Sequence, residues 1–313
     1  MSENFIICVE AVLPMFMLLA VGYAVRLVGL VGDSDTAKLN SLAFKILFPF
    51  LMFNNIYSAD ISDSINRGLI VFTLAAIAVI YVISTIFALC IEKVPQSRGA
   101  MIQALYRSNF VIMGLPLATN IYGHGSIGVT AVMVAIVVPI YNVLAVITLE
   151  VYRKGKINVG MIIKNVLTNP LILGAAAGIA CAVMQVHLPA VVEETVSQLS
   201  ACATPIGIMI LGASFQFSSV RKQSRNLMIC LAGRLIIIPG AVLGTAVFMG
   251  IRGIGFVTLI AIFAAPCALS SYTMARQMHS DYQLAGNTVV FSSALCCFTM
   301  FLWLYIFKNM GMF

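Results

Sequence analysis

Charged residues are scarce in this chain. Asp, Glu, Lys and Arg together make up 9% of its 313 residues, whereas a soluble domain carries about 25%. So few charged side chains cannot cover a surface that faces water, and the mean hydropathy is +1.03. The composition excludes a soluble enzyme, a nucleic-acid-binding protein and a disordered chain. It predicts an all-α membrane protein with several helices in the lipid bilayer.

Sequence motifs for catalysis and metal binding are also missing. The chain has no GxxxxGK[ST], HExxH, GxSxG or CxxC pattern, so we expect no ATP-driven motor, catalytic residue, metal site or cofactor. The eight cysteines lie almost entirely in apolar runs, which is typical of buried apolar side chains rather than of a disulfide framework. The three histidines fall in loops, where His279 near Asp281 is either solvated or a proton carrier.

Apolar runs are what the sequence has in abundance, and polar breaks divide them into ten. The predicted spans are 5–25, 41–57, 69–91, 101–122, 128–150, 166–186, 195–217, 227–250, 254–275 and 284–307. The first run is longer than the apolar part of a signal peptide, contains Glu10 and Pro14, and lacks an AxA cleavage site. We therefore expect it to be a retained span.

Basic residues are distributed unevenly between the loops that these spans predict. Twelve Lys and Arg residues fall at or beyond the ends of the odd-numbered spans, against three on the other side. Because cytoplasmic loops are enriched in Lys and Arg, both termini are expected on the non-cytoplasmic face of a plasma membrane.

The prolines indicate an internal repeat. Three pairs of prolines fall on corresponding spans of a five-plus-five division, at offsets of 156, 156 and 150 residues: Pro14 and Pro170, Pro49 and Pro205, and Pro116 and Pro266. The division predicts two repeats, residues 1–157 and 158–313. Since five is odd, the second repeat crosses the membrane in the opposite direction, which is a recurring architecture of secondary transporters.

The fourth and ninth spans are the ones expected to be broken. The fourth carries Ser108, Asn109, Gly114 and Pro116 within nine residues, and the ninth carries Pro266 followed by serines. Unpaired backbone groups are tolerated in a membrane only inside the protein or beside a water-filled cavity. Two helices broken at Pro116 and Pro266 would present their N-termini to a carboxylate, and simple kinks are the alternative.

Several motifs in the same order give the sequence a family resemblance. They are VLPMFMLLAVGY, NFVIMGLPL, LEVYRKGK, NVLTNPLILG, GRLIIIPG and ARQMHSDYQLAGNTVVFSS. With these motifs the chain resembles the auxin efflux carrier family, which includes the plant PIN-FORMED proteins and bacterial malonate carriers. The resemblance implies ten helices in two inverted five-helix repeats and a crossover at the prolines of helices 4 and 9. It also implies a scaffold of helices 1, 2, 6 and 7, a moving transport domain of helices 3–5 and 8–10, and a homodimer formed through the scaffold.

Two asparagines are candidates for binding the substrate. Asn109 matches the substrate-binding asparagine of the family motif, and its amide supplies donors and an acceptor without a buried charge. The alternative is an asparagine that bonds a neighbouring helix. Asn142 faces the same region in the resembling fold, at a position where the plant members have tyrosine.

Two arginines lie within predicted spans. Arg107 departs from the plant motif, and its guanidinium suits a carboxylate; alternatively, it extends to the cytoplasmic interface from the start of its span. For Arg234, one turn into the eighth span, we favour an interfacial or helix-pairing role.

Polar residues near the other breaks complete the candidates. Ser270, Ser271 and Tyr272 follow Pro266 and can offer hydroxyl groups to a substrate. Asp63 and Arg67 have helical i, i+4 spacing, which is typical of an exposed ion pair. The resemblance implies instead that this pair supports a site beside the substrate, because plant carriers have Asp and Lys at this spacing.

Together these features predict a secondary transporter for a small organic anion, with an elevator-like alternating-access mechanism. A channel-like uniporter for small anions or weak acids remains the alternative, and an intramembrane enzyme is the third and weakest possibility. The sequence leaves open the identity of the anion, the direction of transport and the coupling ion.

Overall fold

A computed structural model describes residues 2–58, 66–122, 128–153 and 159–313, and these residues are helical apart from their connections. The first eight helices are α1 (Ser2–Leu27), α2 (Asp33–Leu42), α3 (Phe48–Tyr57), α4 (Arg67–Ile91), α5 (Pro95–Tyr106), α6 (Phe110–Tyr122), α7 (Gly128–Val151) and α8 (Val159–Leu167). The second eight are α9 (Pro170–Val183), α10 (Ala190–Ser214), α11 (Phe217–Lys222), α12 (Ser224–Ala232), α13 (Ile238–Phe248), α14 (Ile254–Ala264), α15 (Ser270–Gln277) and α16 (Tyr282–Asn309).

Two helix pairs are joined into continuous rods by a π-helical turn. Ala43–Leu47 joins α2 to α3, and Gly233–Ile237 joins α12 to α13. A proline follows each turn, as Pro49 and Pro239, at the start of the next helix, and a proline there removes one N–H donor from the rod. The α2–α3 rod starts at Asp33, eight residues before the predicted span 41–57.

Six helical stretches in the described part of the chain are long and apolar enough to cross a membrane. They are Asp33–Tyr57, Arg67–Ile91, Gly128–Val151, Ala190–Ser214, Ser224–Phe248 and Tyr282–Asn309. Leu13–Leu27, Pro170–Val183 and Ile254–Ala264 are shorter apolar helices. The predicted multi-pass, all-helical membrane protein is confirmed at this level.

The most extensive contacts between helices join α1 to α10 and α3 to α9. Glycines make this closeness possible, because a Cβ added at Gly212 would lie 2.2 Å from the Leu19 carbonyl oxygen. Likewise, a Cβ at Gly174 would lie 2.4 Å from the carbonyl oxygen of Pro49. Small residues commonly allow membrane helices to approach this closely.

Gly174→Ala is expected to destabilise the α3–α9 pair. The new methyl group meets backbone, which cannot rotate away, so the helices must separate at a cost of about 1–3 kcal/mol. Thermal unfolding of the purified protein measures the loss. Gly244→Ala in α13 is the matched control, since nothing lies within 4 Å of a Cβ there. Equal melting temperatures for the two variants would contradict the expectation.

The central helices repeat one packing pattern. α5 packs against α4, α7 and α16, and α14 packs against α13, α16 and α7. α5 and α14 are each followed by a short non-helical segment and then by a second half-helix, α6 or α15. These two interruptions meet at the candidate site.

Candidate functional site

The two interrupted helices meet, at what we call the crossover, where their backbones are extended. Residues 107–109 separate α5 from α6, and residues 265–269 separate α14 from α15. Ser108 and Cys267 form an antiparallel β-bridge, and the Asn109 N–H donates to the Pro266 carbonyl at 2.9 Å. Each interruption thus satisfies part of the hydrogen-bonding capacity of the other, as buried backbone requires.

The break in the first of these helices does not lie at Pro116, where the sequence predicts it. Position 116 lies inside α6, and the chain leaves helical geometry earlier, at Arg107 with φ −92° and ψ 124°. A proline inside a membrane helix is tolerated when its surroundings satisfy the freed carbonyl. Here the break comes instead where the extended residues bond across to the other chain segment. Pro266 does lie within the second interruption.

Arg107 is buried at the crossover, with 2% of its surface exposed. Its guanidinium donates to Gln103 Oε1 at 3.1 Å, Ser270 Oγ at 2.8 Å and Met274 Sδ at 2.9 Å, and also to Asn142 Oδ1. All four partners are neutral. Within the described ranges, the recorded ion pairs are Arg26–Asp33 and Arg153–Glu150, so Arg107 has no carboxylate partner there.

A small pocket, open on one side, lies against Arg107. Three predicted site residues also line it: Asn109, Asn142 and Ser270. The Asn142 amide accepts from Arg107 and donates to the Val138 carbonyl at 2.9 Å and to Met52 Sδ at 2.8 Å. The remaining lining residues are Phe48, Leu51, Met52, Asn55, Ser108, Val111, Val138, Tyr141, Thr204, Ala268 and Leu269. This lining combines an apolar wall with a few convergent polar groups, as small-molecule sites do.

The other predicted site residues do not join this cluster. Ser271 is buried, with 1% of its surface exposed, and it does not line the pocket as described, whereas Ser270 does. Asp63 lies outside the described residues, so its pairing with Arg67, the first residue of α4, is not described.

Arg234 has a more central position than its sequence suggests. It is fully buried, and its Nε donates to the Ala265 carbonyl at 2.9 Å. One terminal nitrogen donates to the Ile262 carbonyl at 2.9 Å, and the other to Leu105 and Tyr106 at 3.2 and 3.4 Å. The interfacial alternative for Arg234 is therefore wrong. Its helix-pairing contacts are made at the crossover, where it bonds the ends of α5 and α14. The sequence carries no local signal for these carbonyl partners, because they come from two other helices.

An arginine that the sequence did not single out links α15 to α2 and α10. Arg276 donates to Thr36 Oγ1 at 2.8 Å, to the Asp33 carbonyl at 3.4 Å, and to Ser214 Oγ. It also donates to Tyr272 OH at 2.6 Å. These contacts lie at the Asp33 end of the α2–α3 rod. The pocket lies along the other half of that rod, from Phe48 to Asn55.

Comparison with known proteins identifies the family of this chain. An uncharacterized transporter of Methanothermobacter thermautotrophicus is 23% identical, over 94% of this chain and 96% of its own length. An uncharacterized transporter of Methanocaldococcus jannaschii is 21% identical, over 96% of this chain and 99% of its own. A family model described as membrane transport protein matches residues 7–304. The chain therefore belongs to the membrane transport protein family, the family of the auxin efflux carriers.

Proposed function

We propose that this protein is a secondary transporter that carries a small organic anion and binds it at the crossover, against Arg107. The observation that carries the proposal is a buried guanidinium at the edge of a pocket, whose partners among the described residues are all neutral. A buried charge without a counter-charge is costly. A carboxylate entering the pocket supplies that counter-charge and matches the two-pronged donor geometry of arginine.

The surrounding groups favour the same ligand. The pocket residues Asn109 and Ser270 lie at the starts of α6 and α15, where helix N-termini carry partial positive charge. The amides of Asn109 and Asn142 supply neutral donors that fix orientation without adding a second full charge. A carboxylate fits this set, while a cation meets only repulsion from Arg107.

The packing pattern supports an inverted repeat of ten spans. The first five spans are α1, α2–α3, α4, α5–α6 and α7, and the second five are α9, α10, α12–α13, α14–α15 and α16. When each span is exchanged for its counterpart in the other set, the α1–α10 contact becomes the α3–α9 contact. The exchange also maps the contacts of α5 onto those of α14. A protein with this exchange symmetry can alternate access to one central site. We assign α1, α2–α3, α9 and α10 to a static scaffold past which the crossover domain moves.

Both termini are expected on the non-cytoplasmic face of the plasma membrane, because twelve basic residues fall on one side of the ten-span arrangement and three on the other. Labelling of a cysteine placed at position 313, after the endogenous thiols are masked, measures this. If a membrane-impermeant reagent reaches this cysteine only from the cytoplasmic side, the predicted topology is contradicted.

The proposed function is tested with purified protein in two steps. A thermal-shift screen against mono- and dicarboxylates identifies the ligand, since binding to the folded state raises its melting temperature. Uptake of that anion into liposomes then measures transport under imposed proton, sodium and voltage gradients. We expect saturable uptake that is accelerated by unlabelled anion on the opposite side. Non-saturating flux without such exchange would identify a channel, and the absence of any anion binding would overturn the proposal.

A further inference from the structure

Arg234 joins the C-terminal ends of both interrupted helices. Leu105 and Tyr106 lie at the end of α5, and Ile262 and Ala265 lie at the end of α14. The carbonyl oxygens of these four residues converge on one guanidinium, at 2.9 to 3.4 Å. A helix C-terminus carries a partial negative charge of about half an electron, so the two ends together nearly balance one cation.

A cluster of this kind is a cation site by its chemistry. Carbonyl oxygens at the ends of broken helices are the groups that coordinate sodium in many transporters. Sodium and potassium, like calcium and magnesium, bind preferentially to oxygen ligands such as backbone carbonyls. Here a tethered guanidinium occupies the position where an ion would otherwise bind.

The backbone around Arg234 brings the guanidinium into this position. Arg234 lies in the π-helical turn Gly233–Ile237, a local widening that occurs frequently at functional sites. The preceding residue is glycine, and a Cβ at Gly233 would lie 2.4 Å from Leu105 Cδ2, so a larger residue there would push the Leu105 side chain aside. Arg234 does not line the pocket, and its donors are directed at backbone carbonyls. It is thus a positioning residue rather than a ligand of the substrate.

We infer that Arg234 takes the place of a coupling cation at the crossover, so that anion transport requires no alkali cation there. This inference rests on the proposed transport function. The two arginines then have separate roles: Arg234 neutralises the helix C-termini permanently, and Arg107 remains available to the anion. A transporter with a mobile cation in this position would need that ion to complete its site in every cycle.

The test compares two neutral substitutions that differ in the room they leave. Arg234→Ala empties the position and leaves space for an ion among the four carbonyls. Arg234→Met removes the charge but fills the space with a side chain of similar length. Arg234→Lys keeps the charge. Anion uptake by each variant and by the unmodified protein is measured in liposomes with choline as the cation, then with added sodium, potassium or millimolar guanidinium.

We expect the unmodified protein and Arg234→Lys to transport equally in all four media. Arg234→Ala should lose at least about tenfold in choline, since four buried carbonyls lose their donors, and should recover in guanidinium or in an alkali cation. Arg234→Met should lose as much and recover in none. A second readout needs no transport: guanidinium should raise the melting temperature of Arg234→Ala, but not that of Arg234→Met or the unmodified protein.

Three results would overturn the inference. The first is unimpaired transport by Arg234→Met in choline, and the second is a folded Arg234→Ala that no cation restores or stabilises. The third is a requirement of the unmodified protein for sodium or potassium, which decides the matter even if both neutral variants fail to fold. If the unmodified protein transports no carboxylate at all, the proposed function fails instead, while the melting-temperature comparison still tests Arg234.

Discussion

Arg107→Ala is expected to fold and to weaken anion transport about 10- to 150-fold. A desolvated hydrogen bond to a charged group is commonly worth about 1.5–3 kcal/mol, and each 1.4 kcal/mol is about tenfold in affinity. The present partners of Arg107 are neutral side chains. Its removal therefore leaves unpaired dipoles rather than an unpaired buried charge, which favours survival of the fold.

Two further variants separate charge from hydrogen bonding. Arg107→Lys should restore little, because an ammonium lacks the planar, two-pronged geometry that a carboxylate prefers. Asn109→Ala should also impair uptake, but by a similar factor for substrates of different charge, because an amide contributes hydrogen bonds only. The measurements are KM and maximal rate of liposome uptake for a mono- and a dicarboxylate. Normal transport by Arg107→Ala would mean that recognition rests on Asn109 and the half-helix N-termini.

The sequence was informative where a residue type is costly in lipid. An arginine within a span is expensive enough to predict a functional position, and Arg107 does lie against the pocket. Asn109, Asn142 and Ser270 also line the pocket; the first two were candidates through the family resemblance, and Ser270 through its place after Pro266. Hydropathy likewise suffices for an all-helical membrane protein, because every spanning segment must be apolar.

What the sequence could not place depends on contacts between distant segments. The first break lies at residues 107–109 rather than at Pro116, because extended residues there bond to Pro266 and Cys267. Proline is a local signal, while this pairing spans more than 150 positions. Arg234 was underestimated for a similar reason: its carbonyl partners at Leu105 and Ile262 come from two other helices. Nothing local distinguishes it from an arginine at an interface.

Arg276 links three helices at the end of the α2–α3 rod that lies away from the pocket. From α15 in the crossover domain, this side chain donates to Thr36 and Asp33 in α2 and to Ser214 at the end of α10. Its guanidinium carbon also lies 5.4 Å from the centre of the Tyr282 ring, in cation–π geometry. If α2–α3 and α10 belong to a static scaffold, these contacts must break whenever the site opens toward that end. They stabilise the conformation in which it is closed.

Arg276→Gln is therefore expected to shift the protein toward the conformation open at that end. A cysteine at Thr204, which lines the pocket, reports the shift when the endogenous thiols are masked. Its labelling rate from the Arg276 side should rise at least about tenfold, which corresponds to a loss of about 1.4 kcal/mol from the closed state. Contacts that only the closed conformation makes favour it by their free energy, so losing them shifts the equilibrium toward the open conformation by that amount.

Arg26→Gln is the matched control for this prediction. Arg26 lies at the same end and pairs with Asp33 at 2.6 Å, and it also donates to the Ala213 carbonyl at 3.2 Å. Both of its partners belong to the proposed scaffold, so its loss removes a positive charge without releasing α15. The Arg26–Asp33 pair is largely exposed and is worth about 0.2–1 kcal/mol.

Equal labelling of the two variants would mean that charge at this end, rather than the link from α15 to the scaffold, keeps the pocket closed. An unchanged rate in Arg276→Gln would remove Arg276 from the gating mechanism, because the closed conformation would then be stabilised by helix packing alone.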